Sequence, residues 1–363
     1  MGNRNPDVDS PATNGGDGKY SYSKNSQYQK LATNVLSEKL DAAIMEKFDI
    51  ASLSSPSRAI QLADLGCASG PNTFIAMQNI VEILQRKFKS QCPNSRSLPE
   101  FHVFFNDKIS NDFNTLFVTL PSNKPYFAAG VPGSFHTRLF PNASLHFVYS
   151  SIALHWLSKV PEKVTDRNLA AWNKGRVHYT SAPGEVVEAY AEQFAKDMEE
   201  FLRTRAEEVV SGGMVVIIMP GIPHGMPHRR VPSGLMYDLM ASSLVDMVNE
   251  GLLNEDEVDS FDLPLYAPSP EEMTMLVTEN GDFTIEAMEL TNPSPNTKGP
   301  INVRGWMVHV RAAMEGMLAK HFDKDRIDEL FDRLVRKLSD ECSQELESCY
   351  TEGIQLFLIL KRR

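Results

Sequence analysis

The stretch LADLGCASGPNT, residues 62–73, limits this chain more than any other segment. An apolar run from Ala59 to Ala63 leads into it and a helical pattern follows. Strand, glycine turn and helix in immediate succession are the opening unit of an open α/β sheet, and such sheets take their ligands at the carboxyl ends of the strands. Here that end carries Asp64, then Gly66 and Gly70. Glycine allows backbone to approach a ligand closely. The spacing is Asp-x-Gly-x-x-x-Gly, so it is neither the GxGxxG dinucleotide fingerprint nor, lacking the lysine, a phosphate-binding loop.

The rest of the chain repeats that alternation. Strands are expected at Ile60–Leu65, Phe101–Asn106, Leu145–Ser150, Met214–Met219, Phe283–Leu290 and Ile354–Leu360. Tyr190, Phe194, Met198, Phe201, Leu202 and Val209 recur at helical spacing, and Gly212-Gly213 reads as the end of that region. The fold class is therefore α/β, a Rossmann-like sheet with helices on both faces. Between 220 and 325 the texture turns to proline-rich loop and a methionine-rich apolar helix, which reads as a mostly helical cap. The expected organisation is a disordered tail over 1–17 and a single unit over 18–363, with core sheet at about 55–220 and 280–363.

With a net charge of −11, non-specific nucleic-acid binding is excluded as a function class. No apolar stretch is long enough to span a bilayer, so no membrane partner is expected. The N-terminal segment lacks a secretory apolar region, and the four cysteines form neither CxxC pairs nor zinc spacings; a cytoplasmic protein with reduced thiols is expected. Cys342 and Cys349 are spaced to share a helix face.

An acid heading the glycine turn suits a ligand with hydroxyls and positive charge better than a pyrophosphate. S-adenosylmethionine (SAM), with its amino acid, ribose and sulfonium, has that profile; a turn that binds nothing is the alternative. Asp107, closing FHVFFND, stands where a second-strand acid accepts hydrogen bonds from a ribose. Ser134-Phe135 offers a hydroxyl and a flat apolar surface for adenine, and His155-Trp156 lies just past a strand end. His224, His228, Arg229 and Arg230 open the cap segment, and either touch a sugar or second polar group or form a solvated loop.

Taken together, GGDGKYSYSKNSQYQ, ADLGCASGPNT, FFNDKISNDFNTLF, VPGSFHTRLFP, ALHWLSKVP, NKGRVHYT and VDSFDLPLYAPSPEEM resemble, in order, the plant SABATH carboxyl methyltransferases. The resemblance covers nearly everything after residue 15, and the short LPSNKPYFAAGVPGSF is most similar to the branch that acts on loganate. It implies a SAM-dependent methyltransferase with a cofactor site of Tyr22, Asp64, Gly66, Cys67, Asn72, Asp107, Ser134 and Phe135. It implies a substrate pocket of Tyr22, Gln29, Ile152, His155 and Trp156, in which Gln29 and Trp156 position the substrate carboxylate beside His155. Ile152 stands where many members carry Tyr. The resemblance also implies a magnesium position at Asn173, Asp259, the backbone of Phe261, and Asp262, and a homodimer.

The expected reaction is methyl-ester formation on a small carboxylic acid. A carboxylate is already ionised at neutral pH, so the transfer needs alignment and no general base. Nitrogen methylation of a purine-like substrate is the alternative within the family. A cofactor-binding protein without turnover has no need of both Gln29 and Trp156, and no GxSxG elbow supports a serine hydrolase.

Overall fold

The computed structural model describes residues 13–53, 59–293 and 301–363. Seven strands form one sheet: β1 (Ile60–Leu65), β2 (Phe101–Asp107), β3 (Phe127–Pro132), β4 (Leu145–Ser151), β5 (Val209–Pro220), β6 (Phe283–Thr291) and β7 (Gln355–Arg362). Their order is β3-β2-β1-β4-β5-β7-β6. β1 to β5 run parallel, and β7 lies antiparallel between β5 and β6. The order in which the chain lays down its strands reverses between the parallel neighbours β1 and β4, and this switch point opens a crevice at their carboxyl ends.

The central strands are apolar on both faces because helices cover both. Their side chains divide with period two. Ala63, Leu65, Val215, Ile217, Leu356 and Leu358 enter a cluster with Tyr190, Phe194, Met198 and Phe201 of the helix Gly184–Glu208. Leu62, Met214, Val216, Phe357 and Ile359 enter the opposite cluster with Phe74, Met77, Ile80 and Leu84 of the helix Asn72–Gln91. Each fully buried aliphatic side chain there stabilises the fold by about 1.5–3 kcal/mol before chain entropy is subtracted. A third cluster, built from Leu235, Met240, Leu244, Met307, Val310, Leu330 and Leu346 among others, forms the helical layer over the strand ends. It continues past residue 325 to Leu346, while the helix Pro270–Asn280 and β6 return to the sheet.

Three sequence expectations change. β3 is not among the expected strands, since FAAGVP holds a glycine and a proline and few β-branched residues. It is an edge strand, where exposed and small residues are tolerated because only one side pairs. The long helix ends at Glu208, not at Gly212-Gly213, and passes straight into β5. The glycines lie inside the strand instead: Gly212 has φ +79°, and the register against β4 shifts beside them. Residues 14–16, expected in the tail, are held in place. Asn14 N–H donates to Ala312 O at 3.0 Å, Asn14 O accepts from Tyr22 N–H, and Gly16 N–H donates to Asp112 Oδ2. Residues 1–12 lie outside the described residues. The described cysteines are free, and Cys342 and Cys349 flank the short helix Ser343–Glu347 rather than sharing its face. No helix among the described residues is long and apolar enough to cross a membrane.

Candidate active site

β1 delivers Asp64 to the crevice, where it is 3% exposed and accepts a short hydrogen bond from the Thr73 hydroxyl. Burial and the nearby Asp107 push its carboxyl up to about 7, against the hydrogen bond that lowers it. The turn then bends sharply. Gly66 has φ +86°, and the N–H groups of Gly66 and Cys67 both donate to Asn106 O of β2. Ala68, also at positive φ, donates its N–H to Asp107 Oδ2 at 2.7 Å. Lys108 N–H donates to Asp107 Oδ1, so the carboxylate at the end of β2 is fixed by backbone.

Tyr22 joins this cluster from the N-terminal segment. Burial, then Asp107, Asp64 and Cys67, hold its hydroxyl well above the ordinary tyrosine range, and its ring lies beside Gly70 of the turn. Asn72 does not point its amide at open space: Nδ2 donates to Ser26 O at 2.8 Å and Ser26 Oγ at 3.0 Å. It pins the segment carrying Tyr22 and Gln29 onto the turn. Ser134-Phe135 follows β3, and the buried Phe135 packs near Gly66. Its carbonyl accepts from Arg205 Nη1 at 2.7 Å.

Next to this cluster lies a cavity of about 1380 Å³. All five residues expected in the substrate pocket line it: Tyr22, Gln29, Ile152, His155 and Trp156. Ile152 sits at φ +53°, a strained backbone for a β-branched residue, at the point where the chain leaves β4. The turn that follows presents His155 and Trp156. Burial drives the His155 imidazole down to about 3, so it is neutral. The Trp156 indole N–H has no partner among the described residues. Gln29 Nε2 lies 3.2 Å from His309 Nε2, and His309 Nδ1 lies 2.9 Å from Asn25 O. A carbonyl can only accept, so His309 Nδ1 carries the proton and its Nε2 accepts from Gln29. One Gln29 N–H remains for a ligand. Arg304 and Glu347 line the same cavity but are exposed.

His309, 280 residues away from Gln29, carries no local sequence signal as a partner. The basic loop divides: His228 is buried against the cavity, while Arg229 pairs on the surface with Asp238 and Glu345. Of the expected metal residues, Asn173 and Asp262 are in contact. Asn173 Nδ2 donates to Asp262 Oδ1 at 2.6 Å, and Asp259 Oδ1 accepts from Gly175 N–H. Burial raises the Asp262 carboxyl to about 7. No group of three His, Cys, Asp or Glu suited to a metal occurs among the described residues.

A seven-stranded sheet with one antiparallel strand, a glycine turn between two buried acids and a helical layer over the strand ends define a Rossmann-like enzyme with a nucleoside-type cofactor crevice. The profile of the SAM-dependent carboxyl methyltransferases matches residues 9–363, and the chain belongs to that family. It is 45% identical to loganic acid O-methyltransferase of Catharanthus roseus over 98% of this chain and 95% of that one. It is 37% identical to farnesoic acid carboxyl-O-methyltransferase of Arabidopsis thaliana, over 96% and 97%. A solved structure of loganic acid methyltransferase with S-adenosylhomocysteine matches with a TM-score of 0.92, 45% identity, and 97% and 98% coverage. The protein is a SAM-dependent carboxyl O-methyltransferase.

Proposed function

We propose that the cavity beside Tyr22 holds a bulky plant carboxylic acid, of which an iridoid acid such as loganate is the leading example and other terpenoid or benzenoid acids the neighbours. The observation that carries this is a cavity of about 1380 Å³ that Tyr22, Gln29, Ile152, His155 and Trp156 line together, with room for a bulky acid. Isoleucine at 152 leaves an aliphatic wall there. SAM would be held by Asp64, Gly66, Cys67, Asn72, Asp107, Ser134 and Phe135, with Tyr22 shared between that site and the cavity.

When bound, SAM would supply a sulfonium-activated methyl carbon to the carboxylate oxygen, the carbon–sulfur electron pair leaving with S-adenosylhomocysteine as the methyl ester forms. The chain's part is positional. The free Gln29 N–H and the Trp156 N–H hold one carboxylate oxygen so that the other faces the methyl group. Both donors are neutral, and His155 is neutral, so the acid is oriented without a countercharge that would stabilise its ground state. Gln29→Ala and Trp156→Phe each remove one hydrogen bond to a charged group. Each is expected to lower kcat/KM by roughly 10–100-fold and to leave SAM affinity within a factor of about two. Turnover with labelled SAM and a panel of iridoid, terpenoid, benzenoid and fatty acids, with SAM titrated by calorimetry, tests both; normal turnover in both variants removes the site assignment.

Asp64 adds a pH dependence. In the free enzyme its carboxyl titrates near 7, and a cationic cofactor favours the ionised form. SAM binding therefore expels a proton below that pH. SAM affinity is expected to rise from pH 5 to about 7 and then level. Asp64→Asn should flatten the curve. Calorimetry in buffers of different ionisation enthalpy measures the released proton directly, and no proton release at pH 6 contradicts the assignment.

A magnesium ion fits the other polar cluster. Asn173 Oδ1 is buried without a partner, and Asp259, Asp262 and the Phe261 carbonyl complete an all-oxygen set of the kind hard cations take. The Asn173 amide would turn its oxygen inward, and the ion would hold Asp262 ionised and tie the segment at 173 to that at 262.

A further inference from the structure

His228, from the segment that opens the cap, lines the cavity. His178 Nε2 lies 3.0 Å from Leu265 O, which can only accept, so Nε2 carries the His178 proton. His178 Nδ1 is then a bare acceptor, and the Thr180 hydroxyl at 2.7 Å and Thr180 N–H at 3.3 Å both donate to it. The Thr180 hydroxyl has one proton, now committed. His228 Nδ1, 2.9 Å from Thr180 Oγ1, must therefore be the donor of that bond. The relay ends with His228 Nε2 carrying a lone pair and no partner among the described residues, on a side chain that lines the cavity.

The ring cannot turn away. Tyr179 stacks on it at 5.0 Å and 22°, and Tyr237 lies against it at 6.0 Å and 30°. A side chain at Gly234 would sit 1.9 Å from His228 O, so the following helix closes directly on the histidine backbone. Burial holds the imidazole neutral, with its pKa down to about 4.

We propose that His228 Nε2 is a fixed hydrogen-bond acceptor for a hydroxyl on the non-reacting part of the substrate, locked in that role by Thr180 and His178. A carboxylate has no proton to offer it, so the acid group is directed to the Gln29 and Trp156 donors and the hydroxylated end to the cap. The enzyme is thereby specific for hydroxyl-bearing acids over purely hydrocarbon ones. This rests on the reading that the cavity holds the acid; His228 acts on specificity and takes no part in the transfer.

Two measurements test it. The first compares loganic acid, rich in hydroxyls, with farnesoic acid, whose only polar group is the carboxyl, in wild type, His228→Phe and Thr180→Val. Expected is a rise in KM for loganic acid about tenfold larger than for farnesoic acid in His228→Phe, with kcat for loganic acid little changed. Thr180→Val should shift KM in the same direction and Thr180→Ser should restore it. Equal shifts for the two acids, or wild-type preference for farnesoic acid, overturn the proposal while leaving carboxyl methylation intact. The second measurement is independent of substrate: nitrogen-15 NMR of labelled wild type should show the His228 Nδ1–H tautomer, moved by Thr180→Val. An Nε2–H tautomer overturns the proposal even if no acid in the panel is methylated, an outcome that would instead count against the substrate reading.

Discussion

Gly66→Ala is expected to remove measurable SAM binding and to destabilise the protein by about 2–5 kcal/mol. Two separate costs add. A left-handed backbone is unfavourable for any residue with a Cβ by about 1–2 kcal/mol, and Gly66 has φ +86°. The new methyl would also lie 2.3 Å from Ala153 Cβ, well inside contact distance, so β1's turn or the turn after β4 must move. That second turn carries His155 and Trp156, so the strain reaches both halves of the site. Displacements of about 1 Å can cost two orders of magnitude in rate. The double variant Gly66→Ala, Ala153→Gly removes the collision and keeps the backbone strain, so it should recover part of the stability. Urea unfolding and SAM calorimetry read the two effects. Binding within twofold of wild type in the single variant would show that the turn does not shape the cofactor site.

Arg205→Met is expected to cost about 3–5 kcal/mol, because it leaves a buried carboxylate without its cation. Arg205 and Glu208 are both fully buried, with Nη2 and Oε2 2.8 Å apart as an ion contact rather than a directed hydrogen bond. Burial works against the guanidinium more than Glu208 supports it, so its pKa is lowered. The pair is retained for what it grips. Arg205 donates to Phe135 O and Thr137 O, and Glu208 Oε1 accepts from Leu139 and Phe140 N–H. One helix end thus holds the loop that presents Ser134 and Phe135. Arg205→Met should weaken SAM binding along with stability, and Arg205→Met, Glu208→Gln should regain stability but not affinity, since the loop stays ungripped. A single variant within about 1 kcal/mol of wild type would mean that water reaches the pair.

The central strands β1, β4, β5 and β7 were legible because burial on both faces demands long apolar runs, and such runs resemble little else. Both edge strands, β3 and β6, are relieved of that demand, but β6 still carries Phe283 and Ile285 where β3 has the small Ala128, Ala129 and Gly130. At the site, Asp64, Gly66 and Asp107 were readable as strand-end chemistry, since a strand followed by glycine and acid has few other uses. Ser134, Phe135, His155 and Trp156 stood out by residue type and place, and their roles, like Tyr22 and Gln29 themselves, came from the family pattern. That Asn72, expected among the cofactor residues, also braces Ser26 through its amide N–H groups had no local signal.

The sequence by itself determined the sheet, the position of its glycine turn and the class of chemistry, because these depend on local runs and neighbouring residues. Only the tertiary structure decided which donors stay free. Gln29 donates one N–H to His309 across 280 residues, and His228 takes its tautomer from His178 and Thr180. A hydrogen-bonding group's role is set by what already occupies its other atoms, and those partners are brought together by packing rather than by spacing along the chain.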